Sequence, residues 1–171
     1  MQYHPISHDI ILMEAKTELL SFPIHGDSRG SLIALECFEE IPFAIKRIYY
    51  IFGTQKNTPR GFHAHKELKQ ILISVSGSVT IHCEQNLCKR KYFLNSPDKG
   101  LLIEGLVWRE MHDFSPDCVL LVLANQHYDE NDYIRSYEEF LKIVLQSLRE
   151  CPAYTLLYQF SPKDTGQSKV K

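Results

Sequence analysis

Two histidines, His63 and His65, lie two residues apart in the run RGFHAH at residues 60–65. On an extended strand, side chains at positions i and i+2 point to the same face, so both imidazoles would face one cavity. Neutral imidazole has an ordinary pKa of about 6.5, can accept or donate a proton near neutrality, and is also a common metal ligand. The spacing therefore predicts either a metal site or a proton-transfer site.

The residues after this pair decide between the two kinds of site. With Gln70 and Gly77 the run has the outline of the cupin metal motif, His-x-His, then Glu, then Gly, but Gln70 stands in the position of the Glu. Arg109 stands where a later strand would supply the fourth ligand. Divalent ions prefer imidazole and carboxylate to a neutral amide, and a cation repels them. We therefore predict no metal and no other cofactor, and proton transfer by the histidines.

A proton-transfer site also needs donors for the oxygen on which charge develops. Arg60, immediately before the pair, suits an anionic ligand. Gln70 and a tyrosine from the run 45–52 are the other available donors.

Length and composition are those of an ordinary globular protein. The chain has 171 residues, 44% hydrophobic and 23% charged, with a formal net charge of −2. One soluble domain with a sizeable core is expected, and nothing suggests nucleic acid as a partner. No apolar run reaches the length of a membrane span, and no signal pattern is evident. The five scattered cysteines, with no Cys-x-x-Cys, suit reduced thiols in the cytoplasm.

The central part of the chain is predicted to be β-structure. Between residues 31 and 123, short β-rich runs are separated by turn-forming residues about every 8–12 residues, the pattern of a sandwich or barrel. The predicted strands are Ser31–Glu36, Ile45–Phe52, Gly61–His65, Gln70–Val75, Ser78–Cys83, Lys89–Leu94, Leu101–Ile103, Val107–Phe114 and Val119–Leu123. The dipeptide Ser76-Gly77 predicts a hairpin between the runs 71–75 and 79–83.

Beyond residue 123, apolar residues recur at helical spacing with charged residues between them, which predicts an amphipathic helix. The apolar residues of this face are Tyr137, Leu141, Val144 and Leu148. Pro152 would end the helix. We expect four segments: an N-terminal segment over 1–20, the barrel over 21–125, the helix with a packing segment over 126–160, and a disordered tail over 161–171.

Four runs carry a family resemblance. They are IPFAIKRIYYIF, RGFHAHK, VWREMHDFSPDCVLLVLA and YDENDYIRSYEEF, at residues 41–52, 60–66, 107–124 and 128–140. In this order they resemble the WxcM-like nucleotide-sugar 3,4-ketoisomerases, which act on dTDP-4-keto-6-deoxyglucose. The resemblance extends from about Phe22 to Phe140.

The resemblance implies a fold, an activity and an assembly. The fold is all-β, a cupin double-stranded β-helix or jelly-roll barrel with a C-terminal amphipathic helix. The activity is that of a metal-free isomerase on a dTDP-linked 4-keto-6-deoxyhexose, in the synthesis of unusual deoxy and amino sugars for surface glycans. The assembly is a homodimer with exchanged strands.

The resemblance also assigns residues to the site. Related dTDP-sugar epimerases share the pieces at 27–30 and 60–63, which implies that Arg29 contacts the pyrophosphate, reaching into the neighbouring subunit's site, and that Arg60 and His63 face the sugar. Tyr50 is placed against the sugar, with Tyr49 as the alternative. Gln70 and Arg109 are assigned to substrate binding. Close family members often have His at the position of Arg109, so its effect on the product stays open.

The resulting hypothesis is a shift of the ketone from carbon 4 to carbon 3. His65 is assigned as the base at carbon, His63 as the group that moves a proton between the two oxygens, and Arg60 with Tyr50 as the groups that stabilise the enediolate. The two histidine roles are interchangeable at this stage, and the galacto or gluco product is open. The region 133–140 is assigned to packing the helix. Alternatives are a dTDP-sugar 3,5-epimerase, a metal-dependent cupin oxygenase and a non-catalytic sugar-nucleotide sensor.

Overall fold

The computed structural model describes residues 15–150. Over this range the chain forms two five-stranded antiparallel sheets, a two-stranded hairpin and one long helix. The strands are β1 (Lys16–Ser21), β2 (His25–Asp27), β3 (Gly30–Leu32), β4 (Arg47–Ile51), β5 (Arg60–His65), β6 (Lys69–Ser76), β7 (Val79–Gln85), β8 (Cys88–Leu94), β9 (Lys99–Glu104), β10 (Trp108–His112), β11 (Val119–Ala124) and β12 (Tyr133–Ile134). The helix α1 covers Tyr137–Glu150.

The two sheets face each other across the main core. Their strand orders are β1-β9-β6-β11-β4 and β12-β5-β10-β7-β8. Leu72 and Val122 from the first sheet and Ile81 and Met111 from the second belong to one buried cluster between them. Strands whose alternate residues are apolar bury one face in this way. This is the all-β sandwich or barrel that the strand pattern predicts.

The predicted hairpin at Ser76-Gly77 is wrong. β6 pairs with β9 and β11 in the first sheet, whereas β7 pairs with β8 and β10 in the second. Gly77, at a φ of 62°, turns the chain from one sheet to the other against the segment 115–118, where a Cβ would lie 2.2 Å from Oγ of Ser115. The turn residues were identified correctly, but their local chemistry does not specify which sheet the next strand joins.

The N-terminal part of the barrel differs from the prediction. β1 pairs with β9 along its whole length, so the barrel begins before the predicted boundary at residue 21. The predicted strand Ser31–Glu36 is shorter, because only β3 is a strand, and it pairs with β2 in an exposed hairpin. Phe22 and Phe43 instead help to cover the outer face of the first sheet.

The predicted helix is confirmed as α1. Phe140 and Val144 are fully buried against Trp108 and Ala64, on the outer face of the second sheet. Pro152 and the predicted segments 153–160 and 161–171 lie outside the described residues. Within residues 15–150 no helix is both long and apolar enough to span a bilayer.

Candidate active site

β5 places both histidines on the inner face of the second sheet. Ala64, between them, is fully buried on the outer face beside Trp108, so His63 and His65 point inward. Their ring centroids lie 4.9 Å apart with the planes at 87°. The Tyr133 ring contacts both, at 5.0 Å from His63 and 4.2 Å from His65. His65 is 1% exposed, whereas His63 is half-buried.

A β-bulge places Arg60 on the same face as the histidines. The register between β5 and β10 shifts by one residue, so Phe62 is the extra residue. Arg60 pairs with Met111, whose side chain is in the core, and directly paired residues share a face. Gly61 is at a φ of 93°, and a Cβ there would lie 2.9 Å from a backbone oxygen of β10. Without the bulge, simple alternation from His63 would direct Arg60 outward.

Asp132 is a member of the site that the sequence did not reveal. Its Oδ2 lies 2.7 Å from Nδ1 of His65, and its Oδ1 accepts the backbone N–H groups of Lys66 and Glu67 at 3.1 and 2.9 Å. Burial raises the pKa of Asp132, but these bonds outweigh it and hold the pKa below its ordinary value. The ionised carboxylate therefore accepts a hydrogen bond from the Nδ1–H group of His65, which leaves the lone pair of the ring on Nε2.

Tyr133 is a second residue of the site that the sequence pattern does not identify. The region 133–140 was assigned to packing the helix, which describes Ile134 and Phe140 correctly. β12 pairs with β5, with Tyr133 opposite His65, and this pairing brings both site residues against the histidines. The match of the run 128–140 to the family was the available signal.

The environment of both histidines favours the neutral ring. Burial, followed by the charge of Arg109, lowers the pKa of His63 to about 3. Burial also lowers the pKa of His65 to about 4, although the hydrogen bond with Asp132 acts in the opposite direction. Both rings are therefore uncharged at neutral pH and able to accept a proton. In addition, Nε2 of His65 is buried and has no hydrogen-bond partner in the described part of the chain.

Arg109, Gln70 and Tyr49 form a buried hydrogen-bonded chain. Arg109 is fully buried, and its Nη1 donates to Oε1 of Gln70 at 2.8 Å while its Nη2 donates to the carbonyl of Val107 at 2.9 Å. Nε2 of Gln70 in turn donates to the hydroxyl of Tyr49 at 2.9 Å. Because the guanidinium of Arg109 can only donate hydrogen bonds, the oxygen of the Gln70 amide must face Arg109 and its nitrogen must face Tyr49. The hydroxyl proton of Tyr49 is left for another acceptor.

Tyr50, which the sequence analysis placed against the sugar, lies on the exposed face of β4, whereas the alternative, Tyr49, lies on the buried face. Tyr50 is 62% exposed on the opposite face of β4 and packs against Phe52, with ring centroids 5.7 Å apart. Tyr49 packs against the core cluster between the sheets. Alternation on a strand separates the two neighbours onto opposite faces, but the face that is buried depends on the pairing of β4 with β11.

The residues around the histidine pair do not suit a divalent metal. The carboxylate of the motif is replaced by Gln70, whose oxygen is already bonded to Arg109. The buried guanidinium of Arg109 lies across the strand pair from His63 and lowers the pKa of both imidazoles. The same positive potential opposes a bound cation. The donor set instead fits an oxygen-bearing organic substrate.

Arg29 lies apart from this group. It is in the turn of the β2–β3 hairpin, where its side chain is 88% exposed and its guanidinium pairs with the carboxylate of Asp27. Every residue of the hairpin strands is exposed. The structure therefore brings together His63, His65, Gln70, Arg109 and, by register, Arg60, but not Arg29.

This chain is similar to known proteins in both sequence and fold. The family described as FdtA, WxcM-like, C-terminal, matches residues 15–145. A TDP-4-oxo-6-deoxy-alpha-D-glucose-3,4-oxoisomerase from Aneurinibacillus thermoaerophilus is 48% identical over 129 residues, which cover 75% of this chain and 93% of that protein.

Two solved structures are close to this fold. The TDP-quinovose 3,4-ketoisomerase WlaRB from Campylobacter jejuni is 52% identical, with a TM-score of 0.71 over 74% of this chain and 97% of that chain. A variant of the 3,4-ketoisomerase QdtA from Thermoanaerobacterium thermosaccharolyticum, in complex with TDP-4-keto-6-deoxyglucose, is 44% identical, with a TM-score of 0.74 over 76% of this chain and 94% of that chain.

A more distant neighbour shares the fold alone. The dTDP-4-dehydrorhamnose 3,5-epimerase from Bacillus anthracis is 15% identical, with a TM-score of 0.59 over 68% of this chain and 76% of that chain. The predicted cupin-type jelly roll with a C-terminal helix is thus confirmed. With matches over three quarters of its length, this chain belongs to the FdtA, WxcM-like family of sugar 3,4-ketoisomerases.

Proposed function

We propose that this protein moves the ketone of dTDP-4-keto-6-deoxyglucose from carbon 4 to carbon 3. The observation that carries the proposal is the pair of imidazoles, His63 and His65, in contact on the inner face of the second sheet, with the carboxylate of Asp132 on Nδ1 of His65. The relatives named above act on or bind this class of sugar nucleotide, which supports the substrate. The reaction needs no oxidant, because one carbon is oxidised while its neighbour is reduced.

His63 is the base at carbon in this proposal. The proton on carbon 3 is acidified by the ketone at carbon 4, and a base must touch it directly. His63 is half-buried and therefore accessible, whereas His65 is 1% exposed. This reverses the roles initially assigned to the two histidines. When His63 takes the proton, the electron pair of the C3–H bond forms the C3–C4 double bond and the carbonyl electrons move to the oxygen on carbon 4.

His65 moves the proton between the two oxygens. Its Nδ1 proton is held by Asp132, so Nε2 carries the lone pair, and this atom has no hydrogen-bond partner among residues 15–150. A buried polar atom without a partner is costly, and a substrate hydroxyl would satisfy it. Nε2 accepts the proton from the oxygen on carbon 3 and gives it to the oxygen on carbon 4. Reprotonation of carbon 4 by His63 completes the ketone at carbon 3.

Tyr49 stabilises the oxygen on which negative charge develops. Its hydroxyl accepts from Gln70 and has its own proton free to donate. Burial raises the pKa of Tyr49, so the hydroxyl stays protonated. Arg109 orients Gln70 and adds positive potential without contacting solvent. Arg60, exposed on the inward face of β5, is suited to a substrate oxygen or phosphate.

Binding of the nucleotide diphosphate is assigned to Arg29, which would come from a second subunit. The exposed β2–β3 hairpin carries Arg29 away from the histidines of its own chain, which favours a homodimer in which each hairpin completes the neighbouring site. The product sugar would then serve the synthesis of deoxy and amino sugars for surface glycans.

The test uses the wild-type protein and its His63→Asn variant with dTDP-4-keto-6-deoxyglucose, followed by NMR of the sugar. The wild type should place the ketone at carbon 3. The variant should bind TDP with similar affinity but turn over at least about 10²-fold more slowly, since general base catalysis contributes about 10²–10⁴-fold. Normal turnover by the variant would remove His63 from the mechanism. Binding of TDP by the wild type without any change in the sugar would support the sensor instead.

A further inference from the structure

Three side chains of types that bind metals converge outside the barrel interior. They are His82 on β7 and Glu110 and His112 on β10. Glu110 is directly opposite His82 in the pairing of these strands, and His112 is two residues further along β10. Arg109 and Met111, the alternate residues of β10, point into the barrel, so this trio lies on the outer face of the same sheet.

The geometry of the trio is compact. The three potential ligand atoms all lie within 4.8 Å of one another. Nε2 of His112 lies 2.8 Å from Oε2 of Glu110, and the rings of His82 and His112 are stacked, with centroids 4.1 Å apart at an interplanar angle of 20°. Nε1 of Trp108 donates to Oε1 of Glu110 at 3.0 Å, which orients the carboxylate and leaves Oε2 facing the histidines.

From this geometry we propose that His82, Glu110 and His112 form a binding site for a divalent transition-metal ion such as Zn²⁺ on the outer face of the barrel. Two imidazoles and one carboxylate are a common zinc donor set, with water in the fourth position. Ligands at about 2.0–2.1 Å from a tetrahedral ion are about 3.3 Å apart, so small side-chain rotations close the site. His112 and Glu110 are about one quarter exposed, at 24% and 26%, so an ion has access.

One ligand of the trio is held in place by a neighbouring side chain. The Trp108 hydrogen bond to Glu110 is the kind of outer contact that holds a metal-binding carboxylate in place. Lys91, opposite His82 on β8, is a nearby cation that opposes binding, and its side chain is exposed and able to turn away.

The site is separate from the histidine pair. His63 and His65 face the interior, while the trio faces outward and joins β7 to β10. An ion there would clamp two neighbouring strands and stabilise the folded state by binding only that state. It would take no part in the isomerisation, so turnover should not depend on it.

The experiment measures Zn²⁺ binding to the full-length chain after treatment with a chelator. Wild type, His82→Gln and His112→Gln are titrated with Zn²⁺ in competition with a chromophoric chelator at neutral pH. His127→Gln, an exposed histidine outside the trio, is the matched control. Wild type and His127→Gln should bind one equivalent of Zn²⁺. His82→Gln and His112→Gln should bind no Zn²⁺ or bind it at least about 10-fold more weakly, since loss of even an outer contact lowers metal affinity about 10–100-fold.

Thermal unfolding provides the second measurement. Zn²⁺ should raise the unfolding midpoint of the wild type and of His127→Gln but not of the trio variants, while all four proteins keep wild-type turnover as proof of folding. Equal Zn²⁺ affinity in the wild type and a His82→Gln, His112→Gln double variant would overturn the proposal, because the ion would then bind elsewhere. Zinc-dependent turnover that is lost in the trio variants would overturn the separation from the active site.

Discussion

Nδ1 of His65 lies 2.7 Å from Oδ2 of Asp132, although 67 residues separate them along the chain. The loop before β12 thus sets the tautomer of a histidine on β5, because an ionised carboxylate accepts only from a protonated Nδ1. The remaining carboxylate oxygen is held by two backbone N–H groups. The orientation of the His65 ring is therefore fixed before any substrate binds.

Replacement of Asp132 by Asn should lower kcat by about 10²–10⁴-fold. The amide can donate to Nδ1, which moves the proton of His65 to Nε2 and removes the acceptor that the mechanism needs. The kcat is measured by NMR at saturating substrate. Asp113→Asn, the same change at an exposed position, should leave kcat unchanged. Comparable kcat values for the two variants would contradict a role for the His65 tautomer.

Two neighbouring tyrosines on β4 provide a matched pair. Tyr49→Phe should lower kcat by about 10²-fold or more, since it removes the proton donor to the developing oxyanion. Tyr50→Phe should have wild-type kcat, because Tyr50 is on the opposite face. Steady-state kinetics on both variants test the assignment. The reverse order of effects would restore Tyr50 to the site and would imply that the exposed face of β4 contributes to it.

The activity should persist at a pH at which ordinary histidines are protonated. With pKa values of about 3 for His63 and about 4 for His65, the acid limb of kcat/KM should lie below about pH 5 rather than near 6.5. A pH profile of kcat/KM, with circular dichroism to confirm folding at each pH, measures it. An acid limb near 6.5 in folded protein would show that the two imidazoles are not desolvated as described.

The same pKa values have a consequence for stability. Since the folded-state values lie below 6.5, the unfolded chain binds more protons than the folded chain between about pH 6.5 and pH 3. The contribution of these two histidines to the free energy of unfolding is therefore complete above pH 6.5. It is lost as the pH falls towards 4 and then 3.

The bulge in β5 should be sensitive to one methyl group. Gly61→Ala should destabilise the protein by about 3 kcal/mol or more, because a Cβ would strain the φ of 93° and meet a backbone oxygen of β10. Gly53→Ala, at a φ of 62° and with no atom of the described residues beyond its chain neighbours within 4 Å of the new Cβ, should cost only about 1–2 kcal/mol. Urea unfolding of both variants gives the difference. Equal free energies of unfolding would show that the bulge is not under this constraint.

The local features of the site were predictable from sequence. The spacing of His63 and His65 on an alternating strand is sufficient to put both rings on one face. The substitution of Gln70 for a carboxylate, together with Arg109, argues against a metal in the barrel from residue type alone. The helix α1 follows from its apolar spacing, and all four predicted apolar positions lie within it.

The features that depend on long-range pairing were not predictable. Asp132 and Tyr133 enter the site only because β12 pairs with β5. The choice of Tyr49 over Tyr50 depends on which face of β4 is buried. The hairpin prediction at Ser76-Gly77 is wrong because the same turn sequence also allows the chain to pass from one sheet to the other. The outer trio of His82, Glu110 and His112 needs the register of β7 against β10. In each case the information lies in strand pairing.

The central claim is that paired imidazoles transfer protons between carbons 3 and 4 without a metal ion. Its most direct test is incubation of chelator-treated protein with dTDP-4-keto-6-deoxyglucose in heavy water, with NMR of the sugar ring. We predict a product with its ketone at carbon 3 and its original hydrogen retained at carbon 5. Deuterium at carbon 5, or a ketone that leaves carbon 4 only after metal is added back, would contradict the account.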